Sequence, residues 1–327
     1  MSSITRSMID MTPEVEIVQA AVTVCICTFR RASLVSTLHS VASQVMGNGT
    51  KFRIVVVDND TMPTADKVVR NFRATAAMDL QYLHVPAQNI SIARNAGLKV
   101  CRTRWLAFID DDETAALDWL DCLMTNRDGA VAVFGPCEAI YGDNTPKWIR
   151  VGDYHSNRVI WRHGIIETGY TSNVLIDMDF VRAHKLEFDE EFGRTGGEDN
   201  MFFYAMHRCG GRLTFAPAAL VYEKVSNART TLRWIITRRY RMGQTYAKLQ
   251  QRHKIREYLW IPLTSPIKIA FCVGTAALLA ISPARGMWWL MRGAFHWGML
   301  SYRLNGNVHE EYSSSDVRGK EIPRQKF

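Results

Sequence analysis

Short apolar runs alternate with amphipathic stretches through the first half of this chain. Residues 22–28 form a continuous β-rich run. Ser33 then precedes Leu34, Leu38, Val41 and Val45, spaced to share one helix face with the serine as cap. A second buried-strand run, 52–57, ends in Asp58-Asn59-Asp60, and a helix is expected after Pro63, which suits a first helical turn. Residues 80–85 read as a third strand, 91–101 as helix, 105–109 as a fourth strand and 130–134 as a fifth. Such alternation predicts an α/β fold on a parallel sheet with right-handed crossovers.

The junction after the fourth strand is the most informative. Asp110, Asp111 and Asp112 follow Trp105-Leu106-Ala107-Phe108-Ile109 directly. A buried strand emptying into acids marks the sheet edge where open α/β folds bind ligands. Three crowded carboxylates repel one another unless a cation or hydrogen-bond donors offset the charge. Hard oxygen ligands suit Mg²⁺ or Mn²⁺ and, through the ion, phosphate oxygens. The competing reading is a solvated loop capping a helix near Thr114. The first strand is followed by neither GxGxxG nor GxxxxGK[ST], so ordinary dinucleotide and P-loop readings lose their support.

The second half is less regular. Residues 169–177 read as a strand carrying Thr171-Ser172-Asn173. The loop Arg194-Thr195-Gly196-Gly197-Glu198-Asp199-Asn200 opens a helix over 201–208. Alone, Glu198 and Asp199 are ordinary first-turn acids facing the helix dipole. From 259 to 282 the chain is apolar, but Pro262, Pro266 and Lys268 leave only 269–282 clean. A span needs about 20 residues, so a re-entrant or interfacial segment is expected there, with a hairpin packed on the catalytic domain as the alternative. Residues 287–304 carry Trp288, Trp289 and Trp297 among arginines, a mixture suited to lipid headgroups. The expected division is a disordered segment 1–20, a catalytic domain 21–256, a helical membrane-associated region 257–312 and a disordered tail 313–327.

Composition adds a few bounds. The chain has 327 residues, enough to bury a large core. Its net charge of +8, with lysine and arginine crowded between Arg229 and Arg256, suits nucleic acid, anionic lipid or a diphosphate substrate. The seven cysteines are scattered without zinc spacing, and Cys25 and Cys27 read as small core residues. The first twenty residues lack the long apolar core of a secretory signal.

Val24-Cys-Ile-Cys-Thr-Phe-Arg-Arg31, Val55-Val-Val-Asp58, Asn95-Ala-Gly97, Phe108-Ile-Asp-Asp-Asp112 and Gly197-Glu-Asp199 occur in that order. Together they resemble family 2 inverting glycosyltransferases, in the branch of the bacterial succinoglycan-type exopolysaccharide glucosyltransferases. The resemblance covers roughly residues 20 to 250. It implies a GT-A fold, a Rossmann-like sheet binding a nucleotide sugar, here with a C-terminal helical membrane-associated extension. It also implies a UDP-hexose donor, Mg²⁺ or Mn²⁺, and a polyprenyl-diphosphate-linked glycan acceptor. The site is expected at the cytoplasmic face of the bacterial inner membrane, with membrane lipid as partner and no nucleic acid.

By position, the resemblance makes Thr28 and Arg31 border the nucleotide and Asp58 accept from uracil N3. Arg94 and Asp111 fall at the donor, and Asp110 faces the ribose or metal. Asp112 binds the metal, and Asp199 is the general base with Glu198 beside it. A helix N-terminus is expected to lower the Asp199 pKa and weaken it as a base. Many relatives carry a metal-binding histidine near Val221. Here Val221-Tyr222-Glu223-Lys224 leaves two readings, Glu223 as substitute or a missing third ligand. In place of the Gln-x-x-Arg-Trp of polymerising synthases stands Arg238-Arg239-Tyr240-Arg241-Met242-Gly243, which argues for single addition. The alternatives are a metal-dependent nucleotidyltransferase and a non-catalytic membrane scaffold with a degenerate transferase domain.

Overall fold

The computed structural model describes residues 20–76 and 78–308. The segment 1–20 thus lies outside the described residues apart from Ala20, and 313–327 lies wholly outside them. The chain opens as β1 (Val22–Thr28), α1 (Leu34–Ala42), β2 (Phe52–Asp58), α2 (Asp66–Thr75), β3 (Leu80–His84), α3 (Ile90–Val100) and β4 (Trp105–Ile109). The acidic triplet then leads into β5 (Glu113–Ala115), α4 (Trp119–Thr125), β6 (Ala132–Phe134), β7 (Cys137–Tyr141) and α5 (Lys147–Gly152). A small hairpin, β8 (Trp161–Arg162) and β9 (Ile165–Ile166), precedes β10 (Asn173–Asp177) and α6 (Met178–His184). α7 (Glu198–Arg208), β11 (Leu213–Phe215) and β12 (Val221–Val225) complete the sheets, and α8 (Leu232–Arg252), α9 (Glu257–Leu278) and α10 (Pro283–Asn305) follow.

The main sheet has seven strands in the order β11-β6-β10-β4-β1-β2-β3. The strands β1 to β4 pair in parallel as expected, while β10, from the second half, runs antiparallel to both β4 and β6. A second sheet, β5-β12-β7, stands beside the triplet, so Thr114 belongs to a strand and not to a helix start. Successive residues of each central strand serve opposite cores. Val24, Ile26, Ile54 and Val56 pack with Leu38, Phe72 and Trp119 from α1, α2 and α4. Cys25, Val55 and Val57 pack with Ala93 and Leu98 of α3 and Phe202 and Phe203 of α7. This two-sided burial is why these strands read as unbroken apolar runs rather than alternating ones.

Two local expectations shift. α1 stops at Ala42, leaving Val45 off the helix face and exposed. α2 begins at Asp66, three residues beyond Pro63.

In the C-terminal region the two prolines do not divide the helix. α9 is one 22-residue helix running through Pro262 and Pro266, and it is long and apolar enough to cross a membrane. Both prolines are exposed residues of this helix. α10 packs along α8 on one side and α9 on the other. The α8–α10 crossing is close enough that backbones touch. A Cβ on Gly243 would collide with the Phe295 carbonyl oxygen, and one on Gly298 with that of Tyr240.

Candidate functional site

Four elements deliver carboxylates to one edge of the main sheet. Asp110, Asp111 and Asp112 leave the end of β4, Glu113 begins β5, Glu223 sits in β12, and Glu198 and Asp199 open α7. Antiparallel pairing sets Glu113 opposite Glu223. Three guanidiniums, Arg31, Arg94 and Arg229, pair with five of these seven acids: Asp110, Asp111, Asp112, Glu198 and Glu223.

Arg94 organises the cluster. It projects from α3, is 7% exposed, and pairs with Glu198 while lying 3.8 Å from Asp110. Its guanidinium also sits 5.7 Å from the Phe188 ring centre. One buried cation therefore ties the acidic triplet to the α7 acids. Among the described residues Glu198 Oε2 has no hydrogen-bond partner, so this buried oxygen still has acceptor capacity.

The α7 acids depend on the two preceding glycines. Gly196 and Gly197 have φ of +81° and +93°, values that favour glycine. A Cβ on Gly197 would also strike the Thr245 methyl group of α8. Glu198 and Asp199 are thereby set in the first turn of α7, which starts three residues before the expected 201. The Asp199 Oδ1 accepts from the Asn200 backbone N–H at 2.6 Å and from its side-chain amide at 3.0 Å.

Electrostatics reverse one expectation. Burial raises the Asp199 pKa, against the pull of Arg94 and the Asn200 hydrogen bonds. Desolvation thus outweighs the helix-terminus effect, normally worth about 0.3–1 kcal/mol. Burial raises Glu198 as well, with Arg94 opposing and Asp199 adding repulsion. Asp110 is lifted to about 6, first by burial, with Arg94 pulling down and Asp112, Glu223 and Glu198 pushing up. Glu113, missed by the motif reading, is buried and raised well above its ordinary value. It accepts from Asp110 N–H at 3.2 Å and from the Cys137 thiol at 3.0 Å.

The other expected residues divide into open and enclosed groups. Asp110 and Asp112 keep side-chain exposures of 45% and 24%, the openness a ligand needs. Arg31 lies 3.4 Å from Asp112 and 3.7 Å from Asp111. Asp111 is turned toward the end of β1: its Oδ2 accepts from Thr28 Oγ1 at 2.7 Å and Phe29 N–H at 3.3 Å. Thr28 and Asp111 therefore clamp β1 to β4, and burial lifts Asp111 to about 7. Asp58 is fully buried and accepts from Asp60 N–H, Ala65 N–H and the Tyr82 hydroxyl. A carboxylate has about four lone-pair sites, so contact with a base falls to the one left uncommitted. Its neighbour Asp60 takes a two-point hydrogen bond from Arg30, at 2.7 and 2.9 Å. Glu223 pairs with Arg229, which competes with any metal for that carboxylate.

Among the described residues no group of three histidine, cysteine or acidic side chains forms a ready-made metal site. The open pair Asp110 and Asp112 nevertheless fits Mg²⁺ or Mn²⁺. Such ions commonly take one or two carboxylates and fill their remaining positions with phosphate oxygens and water. The repulsion that raises Asp110 is what a divalent cation relieves.

Comparison with known proteins agrees with this geometry. Residues 23–184 match the family described as Glycosyl transferase family 2, a span that ends before Glu198 and Asp199. The chain is 39% identical over 296 residues to the succinoglycan biosynthesis protein ExoM of Rhizobium meliloti (strain 1021), covering 89% of this chain and 96% of that one. It is 26% identical over 247 residues to a glucosyl-dolichyl phosphate glucuronosyltransferase of Haloferax volcanii, covering 68% and 75%. In three dimensions it superposes on the mannosyltransferase PcManGT from Pyrobaculum calidifontis, solved with GDP-Man and Mn²⁺. That match has a TM-score of 0.62 at 16% identity and covers 88% of each chain. With the mixed sheet, the acidic edge and near full-length kinship all in agreement, the chain belongs to glycosyl transferase family 2 and is a glycosyltransferase of the GT-A fold.

Proposed function

We propose that this enzyme is an inverting, metal-dependent hexosyltransferase acting in exopolysaccharide synthesis. It transfers a single hexose, glucose, from a UDP-sugar to a polyprenyl-diphosphate-linked oligosaccharide at the cytoplasmic face of a bacterial inner membrane. The observation that carries this reading is the placement of the acidic triplet and the Glu198–Asp199 pair on either side of Arg94. One side is open and suited to a cation–diphosphate; on the other Glu198 is buried and Asp199 half-buried, a setting suited to proton transfer. The ExoM likeness supports exopolysaccharide synthesis, and the glucuronosyltransferase of glucosyl-dolichyl phosphate supports a lipid-linked acceptor.

Asp112 and Asp110 would hold Mg²⁺ or Mn²⁺, which when bound neutralises charge on the departing diphosphate. Thr28 and Arg31 border the nucleotide, and Asp58 and Asp111 brace the strand ends behind it. Asp199 takes the proton of the acceptor hydroxyl as that oxygen attacks the anomeric carbon. Its raised proton affinity makes it a better base near neutral pH than an exposed aspartate. Arg94 offsets part of the burial that raises Glu198 beside it, with Oε2 available to orient the acceptor. UDP leaves from the opposite face of the sugar, so configuration inverts. Glu223 joins the metal only where Arg229 releases it.

The test is a panel of nucleotide sugars offered to the purified full-length protein with Mn²⁺, Mg²⁺ or EDTA, reading the released nucleotide. UDP release from UDP-glucose that needs the metal is expected. Release of a nucleoside monophosphate would identify a nucleotidyltransferase, and no metal-dependent turnover of any donor would leave the scaffold reading.

A further inference from the structure

α9 has two faces of opposite destiny. Ile261, Ser265, Cys272 and Ala276 are buried, and the helix packs chiefly on α10. On the other side Leu259, Leu263, Ile267, Phe271 and Leu278 are each more than 60% exposed. Soluble surfaces rarely present so many large apolar side chains in one row. Trp260 on α9 and Trp288 and Trp297 on α10 are half exposed as well.

Length and composition alone would let α9 cross a bilayer. Its neighbours argue otherwise. α9 lies along α10, and α10 is joined backbone to backbone with α8 through Gly243 and Gly298. α8 in turn touches the loop of the α7 acids through Thr245 and Gly197. A perpendicular α9 would have to leave α10 or draw it, with Arg292 and His296, into hydrocarbon. Polar groups also follow one flank of α9: Glu257, Thr264, Lys268 and Thr275, at spacings that keep them in line. Lys268 is exposed and stands roughly 110° round the helix from the middle of the apolar row. At the centre of a span a lysine costs about 3 kcal/mol, whereas at the flank of a surface helix it reaches the headgroups. The exposed cations Arg256, Lys268, Arg285 and Arg292 favour an anionic leaflet.

We infer that α9 is an in-plane anchor. Its Leu259–Leu263–Ile267–Phe271–Leu278 row embeds in one leaflet of an anionic phospholipid membrane, with the α8–α10 crossing holding the catalytic body at a fixed attitude to it. The inference rests on the membrane reading above and specifies its surface and mode.

Flotation of the full-length protein with vesicles of phosphatidylcholine, with and without phosphatidylglycerol, is the first measurement. Wild type should float, more strongly with the anionic lipid. Leu263→Glu, Ile267→Glu and Phe271→Glu combined should cut partitioning by at least about a hundredfold. Metal-dependent UDP release should persist, which also reports that the variant folds. Lys268→Glu should weaken only the phosphatidylglycerol-dependent part. Spin labels placed singly at Leu259, Ile267 and Leu278, with exposed Cys209 changed to serine, then read depth. Equal depths support the in-plane helix, and a maximum at 267 with shallow ends means a span and overturns it. Flotation unchanged in the triple variant also overturns it, as does a wild-type dimer that ignores vesicles and is dispersed by the triple variant. Wild type that never floats but releases UDP sinks the anchor alone. Protein that floats without any donor turnover sinks the catalytic reading and leaves the anchor standing.

Discussion

Asp110→Asn should stabilise the ligand-free protein while crippling its metal-dependent chemistry. The Asp110 carboxyl is lifted from 3.8 to about 6, burial first, and that net rise already includes the pull of Arg94. A raised acid means that the fold binds more protons than the unfolded chain between those two values. Stability is then fully present below 3.8 and is lost as the pH climbs to about 6. At pH 7 the whole penalty applies. At about 1.4 kcal/mol per pH unit it comes to roughly 3 kcal/mol. Asp110 keeps 45% of its side-chain exposure, so solvent screening reduces the figure to about 1–2 kcal/mol. Asparagine has the same shape and no charge, and it should raise Tm by about 2–6 °C at pH 7. The gain should shrink steadily as the pH falls to 4.5. Differential scanning calorimetry of both proteins across that range, without and with Mn²⁺ and UDP, reads every part. Wild type should gain from Mn²⁺ and UDP, and the variant should gain far less. A variant less stable at pH 7, or a difference independent of pH, refutes the charge-crowding argument.

Asp112→Asn should remove most metal-dependent UDP binding, a loss of several kcal/mol by titration calorimetry, with the fold intact by circular dichroism. Arg94→Gln leaves Glu198 buried without its cation and should cost about 3–5 kcal/mol in denaturant unfolding. Adding Glu198→Gln to it should recover part of that loss. Gly298→Val drives a side chain into the Tyr240 carbonyl and should destabilise by about 1–3 kcal/mol or more. Gly274→Ala, which meets nothing within 4 Å, should be neutral or stabilising in the same thermal melt.

The strands around the site were readable because β1, β2 and β4 are buried on both faces and so appear as apolar runs. Direction was not readable: the composition of β10 is the same whichever way the chain runs, and its reversal emerges only in the pairing with β4 and β6. The triplet and the Gly-Glu-Asp turn announced themselves as acids at element ends. Their connection did not, because Arg94 meets Glu198 across 104 positions of sequence. Asp58 and Asp111 read as ligand residues by position, and the sequence does not show that each also accepts from the fold itself, Asp58 from Ala65 and Tyr82 and Asp111 from Thr28. The Asp199 expectation failed because a sequence displays the helix terminus and conceals the burial. In α9 the prolines suggested a break, whereas the helix continues through both.

Asp199 is proposed as the base of a sugar transfer whose donor is held by the triplet. Its most direct test is Asp199→Asn in full-length enzyme, with nucleotide-sugar affinity and transfer rate measured on the same preparation. Donor binding should stay within a few-fold of wild type while transfer falls by about 10²–10⁴. Transfer within a few-fold of wild type would contradict it and move the proton to Glu198.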